Sequence, residues 1–340
     1  LLHTRSSLLL PLCFALGLTA LLSLVSLASG PVTHNWQMLW QAITGEQAAA
    51  SMIIWQLRLP RMLLTIAIGA LLALAGALMQ GLFRNPLADP AIIGISGGSA
   101  AGAALAMAGL SLLPAWPWLE TLGVPLMAFV GGISATLLVY RLATRSDTGT
   151  SVVMLLLAGI AISAISGALI SLLSYLSDDQ TLRQLSLWQM GTLSRHSWGQ
   201  VQLAWGACAV IAALSYKHRR TLDVLLLGEA EARYSGVDVQ ALKRQLILCC
   251  AFAVAIAVAI TGLIGFVGLV VPHILRLMLG PGHQRLLPLS ALGGACLLLF
   301  ADLIARSIVA PAQLPIGVVT ALIGAPFFLY LLLRQRQHLS

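Results

Sequence analysis

The side chains best suited to ligate a metal or move protons are few in this 340-residue chain: seven histidines, five cysteines and eleven carboxylates. Their spacing argues against an enzyme. There is no HExxH helix and no carboxylate pair, no nucleophile elbow is expected, and most acids fall in polar loops. Cys13, Cys208, Cys249, Cys250 and Cys296 all lie within apolar runs, without CxxC or metal-ligand spacing, and read as small buried hydrophobes. His3, His34, His196, His218, His273, His283 and His338 are scattered along the chain. No catalytic residue and no metal site emerges. One carboxylate, Asp302, lies well inside an apolar run; Arg306 follows at i+4, the spacing of a helical ion pair.

The elements that position these groups follow from composition. Apolar residues make up 59% of the chain and charged residues 9%, with a mean hydropathy of +0.93; soluble domains carry about 25% charged residues. So few charges cannot build a water-facing surface, so lipid must cover most of the protein. A helix crosses the hydrocarbon in about 20 apolar residues. Apolar runs separated by Gly, Pro or charge predict ten spans, at 8–28, 62–82, 91–113, 123–142, 151–174, 198–216, 245–264, 266–280, 287–305 and 315–333. The first resembles a signal peptide in its position, but its apolar stretch exceeds the usual 7–15 residues, and it reads as a first transmembrane helix. The expected fold is all-α and polytopic, one transmembrane domain over residues 1–340. A net charge of +8 does not indicate nucleic acid, because the basic residues are dispersed singly rather than gathered on one face.

Charge also gives the spans a direction. With ten spans and the N-terminus inside, fourteen of the nineteen basic residues fall on the cytoplasmic side. The other five, Arg58, Arg61, Arg183, Arg195 and Arg306, fall outside, a split that fits the positive-inside rule and leaves both termini cytoplasmic. Spans 91–113 and 266–280 adjoin proline-containing breaks, Asn85-Pro86-Leu87-Ala88-Asp89-Pro90 and Val271-Pro272-His273. Such breaks at comparable places in two halves suggest an inverted repeat of spans two to five and seven to ten. The longest polar stretch, 217–244, is cytoplasmic. Gly228 and Gly236 bracket Glu229-Ala230-Glu231-Ala232-Arg233-Tyr234-Ser235, a pattern that fits two short amphipathic surface helices meeting at Gly228; a merely solvated loop is the simpler reading of the same residues.

At this loop the chain resembles the permease subunits of bacterial iron-siderophore, haem and vitamin B12 ABC importers, over essentially its full length. The motifs are Arg58-Leu59-Pro60-Arg61, Gly76-Ala77-Leu78-Met79-Gln80-Gly81 running into Asn85–Pro90, and Trp188-Gln189-Met190-Gly191. The Gly228-Glu229 loop follows, then Gly265-Phe266-Val267-Gly268-Leu269 with Pro272, His273 and Arg276. Ala301-Asp302 with Arg306, and Leu314-Pro315-Ile316-Gly317 with Thr320, Gly324 and Pro326, complete the series. Within that family the sequence looks most like haem-import permeases of Gram-negative bacteria. The resemblance implies an inner-membrane homodimer that takes haem or another iron chelate from a periplasmic substrate-binding protein. It implies two cytoplasmic ATPase subunits holding ATP and Mg²⁺, with no cofactor on this chain. Residues Gly228 to Gly236 would be the ATPase contact.

The same resemblance gives Arg58, Arg61 and Arg306 a role in docking the binding protein; helix capping, snorkelling and an Asp302–Arg306 pair are the simpler readings. It places the substrate path along span five, where Ala158, Ser163, Ser166 and Gly167 lie, and along span ten, where Leu314, Pro315, Gly317 and Thr320 lie. The small residues of span five equally suit close helix packing. No histidine falls in span five or ten, so a haem ligand in the path is not expected; Arg183 and Arg195 are candidates to attract propionates at the entrance. An ion-coupled secondary transporter is the rival class, and the lack of intramembrane carboxylates beyond Asp302 counts against it.

Overall fold

The computed structural model describes residues 8–30, 35–110, 117–145, 149–194 and 196–336. In chain order the helices are α1 (Leu9–Ala28), α2 (Asn35–Thr44), α3 (Ala48–Met52), α4 (Leu59–Phe83), α5 (Ile95–Leu110), α6 (Pro117–Ala143), α7 (Val152–Leu176) and α8 (Asp179–Gln189). They continue as α9 (Trp198–Lys217), α10 (Arg219–Leu225), α11 (Glu229–Tyr234), α12 (Val239–Thr261), α13 (Val267–Leu279), α14 (His283–Ser307) and α15 (Ile316–Arg336). A π-helical turn, Ile53–Arg58, leads into α4, and a 3₁₀ turn, Pro90–Ile93, precedes α5. The only strands among the described residues are β1 (Thr144–Arg145) and β2 (Gly149–Thr150), an antiparallel pair.

Each of the ten predicted spans overlaps one helix, α1, α4, α5, α6, α7, α9, α12, α13, α14 or α15; span 91–113 opens in the 3₁₀ turn, and its residues 111–113 lie outside the described residues. Seven helical stretches among the described residues are long and apolar enough to cross a membrane by themselves. At 13 residues, α13 spans about 20 Å, short of a hydrocarbon core of about 30 Å. One break was misplaced by the sequence. Pro272 sits inside α13, and the non-helical segment is Gly262–Phe266. Proline removes only the N–H that would bond the Gly268 carbonyl, and that carbonyl lies against the Cα side of Gly76, whose missing Cβ leaves room for it. The chain turns instead where Gly262 and Phe266 take positive φ values of 73° and 68°.

Caps explain where several helices start. Ser197 and Gln200 form a reciprocal capping box on α9, and Asp178 and Asp238 accept from the N–H groups of Thr181 and Ala241. Hydrogen bonding from Thr181 holds the exposed Asp178 carboxyl below its ordinary value.

The chain folds as two compact units. In one (Leu78–Thr192 and Arg220–Ile264), α5, α6 and α7 pack on one another and α12 packs on α5 and α6. Gly98, Gly102 and Gly131 bring the α5 and α6 backbones into direct contact, as small residues do where packing rather than water drives helix association. Ala103, Ala128 and Ala259 form a small core there with Val124, Phe129 and Trp188. In the other unit (Leu1–Ala77, Leu193–Arg219 and Gly265–Ser340), α13, α14 and α15 pack on one another, α1 and α9 pack on α14, and Gly69 meets Gly294. Three mutually packed helices after a broken connection thus occur in each half, the pattern expected of a repeat.

Candidate functional site

Two constellations of charge stand out, one in each unit. The first is built on Asp302, a residue of α14 with no solvent exposure. Arg61, in the first turn of α4, donates to its Oδ1 through Nη2 at 2.8 Å and Nε at 3.1 Å, and to Gln313 Oε1 at 2.8 Å. Arg306, one turn along α14, places Nε 3.0 Å from Asp302 Oδ2. Helix α1 has no basic residue in its last turn, yet its terminal carbonyls need donors. Arg58 supplies one to the Leu27 carbonyl at 2.8 Å; Arg306 donates to Ser26 Oγ at 2.9 Å and to the Ser29 carbonyl at 3.2 Å. The π turn sets this geometry: the Leu59 N–H reaches back five residues to Ile54, and Arg58 is turned inward, 7% exposed. Three guanidiniums and one carboxylate therefore clasp the ends of α1, α4 and α14.

The second constellation is the polar loop. Two short helices form as the glycine spacing predicts: α10 ends in a turn, Gly228 takes a φ of 130° as the N-cap of α11, and Gly236 stops α11 with a φ of 84°. Ala232 is fully buried and anchors α11. Ala230, Glu231, Arg233, Ser235 and Gly236 are exposed, as are Tyr234 at 91% and Leu227 at 73%, so the loop presents two large apolar side chains to whatever meets it. Glu229 faces the other way. Its Oε1 lies 2.7 Å from Nζ of Lys243, which is 2% exposed and also donates to the Thr150 carbonyl at 2.9 Å. A cavity of about 300 Å³ opens beside this pair, lined by Arg84, Ser151 and Val152 among others.

The candidate path residues separate. Ala158 and Ser166 are buried and Ser163 is half-buried, on the side of α7 that meets α5 and the 3₁₀ turn, with Ser163 and Ser166 against Gly97. Gly167 lies on the open side, with nothing within 4 Å of where a Cβ would stand. Leu314, Pro315 and Gly317 are half-buried at the start of α15, and Thr320 is buried, donating to the Gly317 carbonyl. His273 and His283 are buried, Arg183 is exposed, and His3, His34, Arg195 and His338 lie outside the described residues. Cys208, Cys250 and Cys296 are buried and Cys249 half-buried, but Cys13 is exposed, because α1 contacts its neighbours along one side only. The segment Gly94-Ile95-Ser96-Gly97-Gly98 does fit the bare GxSxG pattern. It follows a 3₁₀ turn and opens α5 with no preceding strand, so it is not a nucleophile elbow.

Residues 18–334, which hold most of this helical course and the loop of two short helices, match the model of the FecCD transport family. The chain belongs to the FecCD transport family. This FecCD chain is 44% identical to the hemin transport system permease protein HmuU of Yersinia pestis over 97% of each chain. It is 42% identical to the cobalamin import system permease protein BtuC of Halobacterium salinarum, covering 86% of this chain and 79% of that one. A solved metal-chelate type ABC transporter in an inward-facing conformation superimposes with a TM-score of 0.83 at 34% identity, covering 95% of this FecCD chain and 98% of its own. Sequence reasoning overlooked Lys243, Thr150 and Gln240. The available signal was a lysine at the fifth position of a helix otherwise bound for the apolar interior, which reads as an ordinary cytoplasmic charge until its partners are seen.

Proposed function

We propose that this chain is the membrane-spanning permease subunit of an ATP-binding-cassette importer that carries haem from periplasm to cytoplasm by alternating access. The observation that carries the reading is the 44% identity to a hemin permease along 97% of both chains. Likeness to a metal-chelate ABC transporter supports assembly with ATPase and substrate-binding components. In this reading two copies form the permease in a bacterial inner membrane with both termini cytoplasmic. Each copy meets an ATPase, which holds the ATP and Mg²⁺, through Gly228 to Gly236, with Leu227 and Tyr234 as the apolar anchors. The arginine cluster, three cations on one carboxylate, supplies a positive field for an acidic binding protein while its hydrogen bonds hold the helix ends. The open face of α7 around Gly167 lines the path in this reading, a smooth surface suited to handing a bulky ligand on rather than binding it; the start of α15, from Leu314 to Thr320, is read in the same way.

Vitamin B12 is the second reading, favoured by the 42% identity to a cobalamin permease. Proteoliposomes containing this chain, its cognate ATPase and its binding protein decide between them. ATP-dependent accumulation of haem, with cobalamin and ferric siderophores excluded, is expected. Accumulation of cobalamin instead transfers the assignment, and uptake driven by an ion gradient without ATP overturns the ABC reading.

A further inference from the structure

Lys243 has no role in the functions assigned so far, yet it is a lysine 2% exposed at the base of an apolar helix. A buried ammonium is retained only where its hydrogen bonds are met, and those bonds show what it does. One goes to Glu229, the first residue of α11, at 2.7 Å; another goes to the carbonyl of Thr150 at 2.9 Å. Thr150 closes the β1–β2 pair and stands two residues before α7, whose N-cap is Ser151. One turn earlier on α12, the Gln240 side chain accepts from the Thr150 N–H at 2.9 Å and lies over Gly149, where a Cβ would collide with its amide. Both polar groups of the Thr150 peptide unit region, its N–H and its C=O, are thus held by the first two turns of α12. Through Lys243 the same turns hold the start of α11.

We infer that Lys243 is a positioning residue that makes α11, the base of α12 and the N-terminus of α7 move as one body, so that force applied to α11 reaches α7. The inference rests on the reading of Gly228 to Gly236 as the ATPase contact. A salt bridge at the partly exposed Glu229 oxygen alone would be a weak tie. Its second bond to a backbone carbonyl makes it directional, because the ammonium cannot follow Glu229 without pulling on Thr150. The neighbouring cavity of about 300 Å³ leaves the Arg84–Ser151 side of this joint unpacked, so polar ties rather than close packing carry the load there.

The test uses the full complex with Lys243→Met, Lys243→Arg and Gln240→Ala. In each, and in the parent, an added Ala230→Cys on the exposed side of α11, cross-linked to the ATPase, reports contact; ATP hydrolysis and uptake are measured in the same proteoliposomes. Lys243→Met is expected to cross-link and hydrolyse ATP as the parent does, while uptake per ATP falls about tenfold, the scale of a typical coupling between sites. Lys243→Arg restores most of the ratio. Gln240→Ala, which leaves no buried charge unpaired, lowers the ratio in the same direction and serves if Lys243→Met does not assemble. An unchanged ratio in a cross-linking complex, or equal loss in the arginine and methionine variants, overturns the inference alone. Failure of the parent to cross-link overturns the coupling reading and this inference with it.

Discussion

Removing the carboxylate of Asp302 is the most informative single perturbation of the arginine cluster. Asp302 has no exposure, and the Arg61 and Arg306 side chains that contact it are 11% and 9% exposed. Asp302→Asn keeps the shape but leaves two largely buried guanidiniums facing each other without a counter-charge. Breaking a buried ion pair by deleting one partner costs about 3–5 kcal/mol. Arg61→Met deletes one cation of two and leaves Asp302 paired at 3.0 Å with Arg306, so its cost should be smaller, about 1–3 kcal/mol as for a lost hydrogen bond to a charged group. At about 2–4 °C per kcal/mol for a large domain, Asp302→Asn should lower the melting temperature by about 6–20 °C. Thermal melts in detergent at one scan rate, followed by a thiol dye reaching the buried Cys208, Cys250 and Cys296, read the ranking directly. The double variant Asp302→Asn/Arg61→Met should melt above Asp302→Asn, because it removes one of the stranded cations. An Asp302→Asn protein that melts within about 2 °C of the parent, less than 1 kcal/mol on the same scale, refutes the reasoning; so does Arg61→Met proving the more damaging. The cluster also sets the terms for any docking experiment. Reversing Arg61 and Arg306 to Glu would gather three carboxylates in one buried place, so lost transport in that variant reports folding before it reports docking.

Other outcomes follow from single contacts. Gly131→Val drives a side chain into the Gly98 carbonyl, where a bare Cβ already collides, and should cost about 1–3 kcal/mol in the same melts; a parent-like melt would mean that α5 and α6 separate freely. Tyr234→Asp should weaken capture of the ATPase by the detergent-solubilised chain about thirtyfold or more, the scale of losing an aromatic anchor, and undiminished capture would remove Tyr234 from the contact. Thr181 hydrogen bonds hold the Asp178 carboxyl below its ordinary value. A carboxyl depressed in the folded state contributes stability above its unfolded pKa and loses it as pH falls through the folded value. Amide exchange in the first turn of α8 should therefore rise on acidification below the ordinary carboxylate range; in Asp178→Ala it should be fast at every pH, and a parent that shows no rise excludes the cap.

The sequence is most legible where one physical variable decides the structure. Apolar length placed all ten long runs on helices, and the glycine pair at 228 and 236 marked both ends of α11, because a positive φ is tolerated by few other residues. It misleads where two rules compete. Pro272 marks a helix break on propensity, but the Gly76 surface accommodates the carbonyl that proline strands, and the break moved to Gly262–Phe266. Small residues in α7 could not be sorted between packing and path from composition. Ala158 and Ser166 are buried and Gly167 exposed only because of where α5 lies, which no local pattern encodes. The partners of Arg61 lie 241 and 252 positions away in the chain and those of Lys243 up to 93, separations at which spacing carries no information.

Those distant partners point to a common logic in the charges this chain retains. In a protein with 9% charged residues, most charge serves solubility or topology at the membrane rim. Asp302 and Lys243 do neither, since both are buried. Each sits near the end of a long helix and bonds to the beginnings or ends of two other segments: Asp302 to Arg61 of α4 and, through Arg306, to the end of α1; Lys243 to the start of α11 and the approach to α7. Apolar packing cannot do this work. Between helices in lipid it is weakly directional and lets surfaces slide, whereas a charge-assisted hydrogen bond fixes one atom against another. A transporter must keep its helices mobile against one another while holding particular ends in register. Sparse buried charges at helix termini satisfy both demands, and in this chain they stand at the two places proposed above to meet a partner protein.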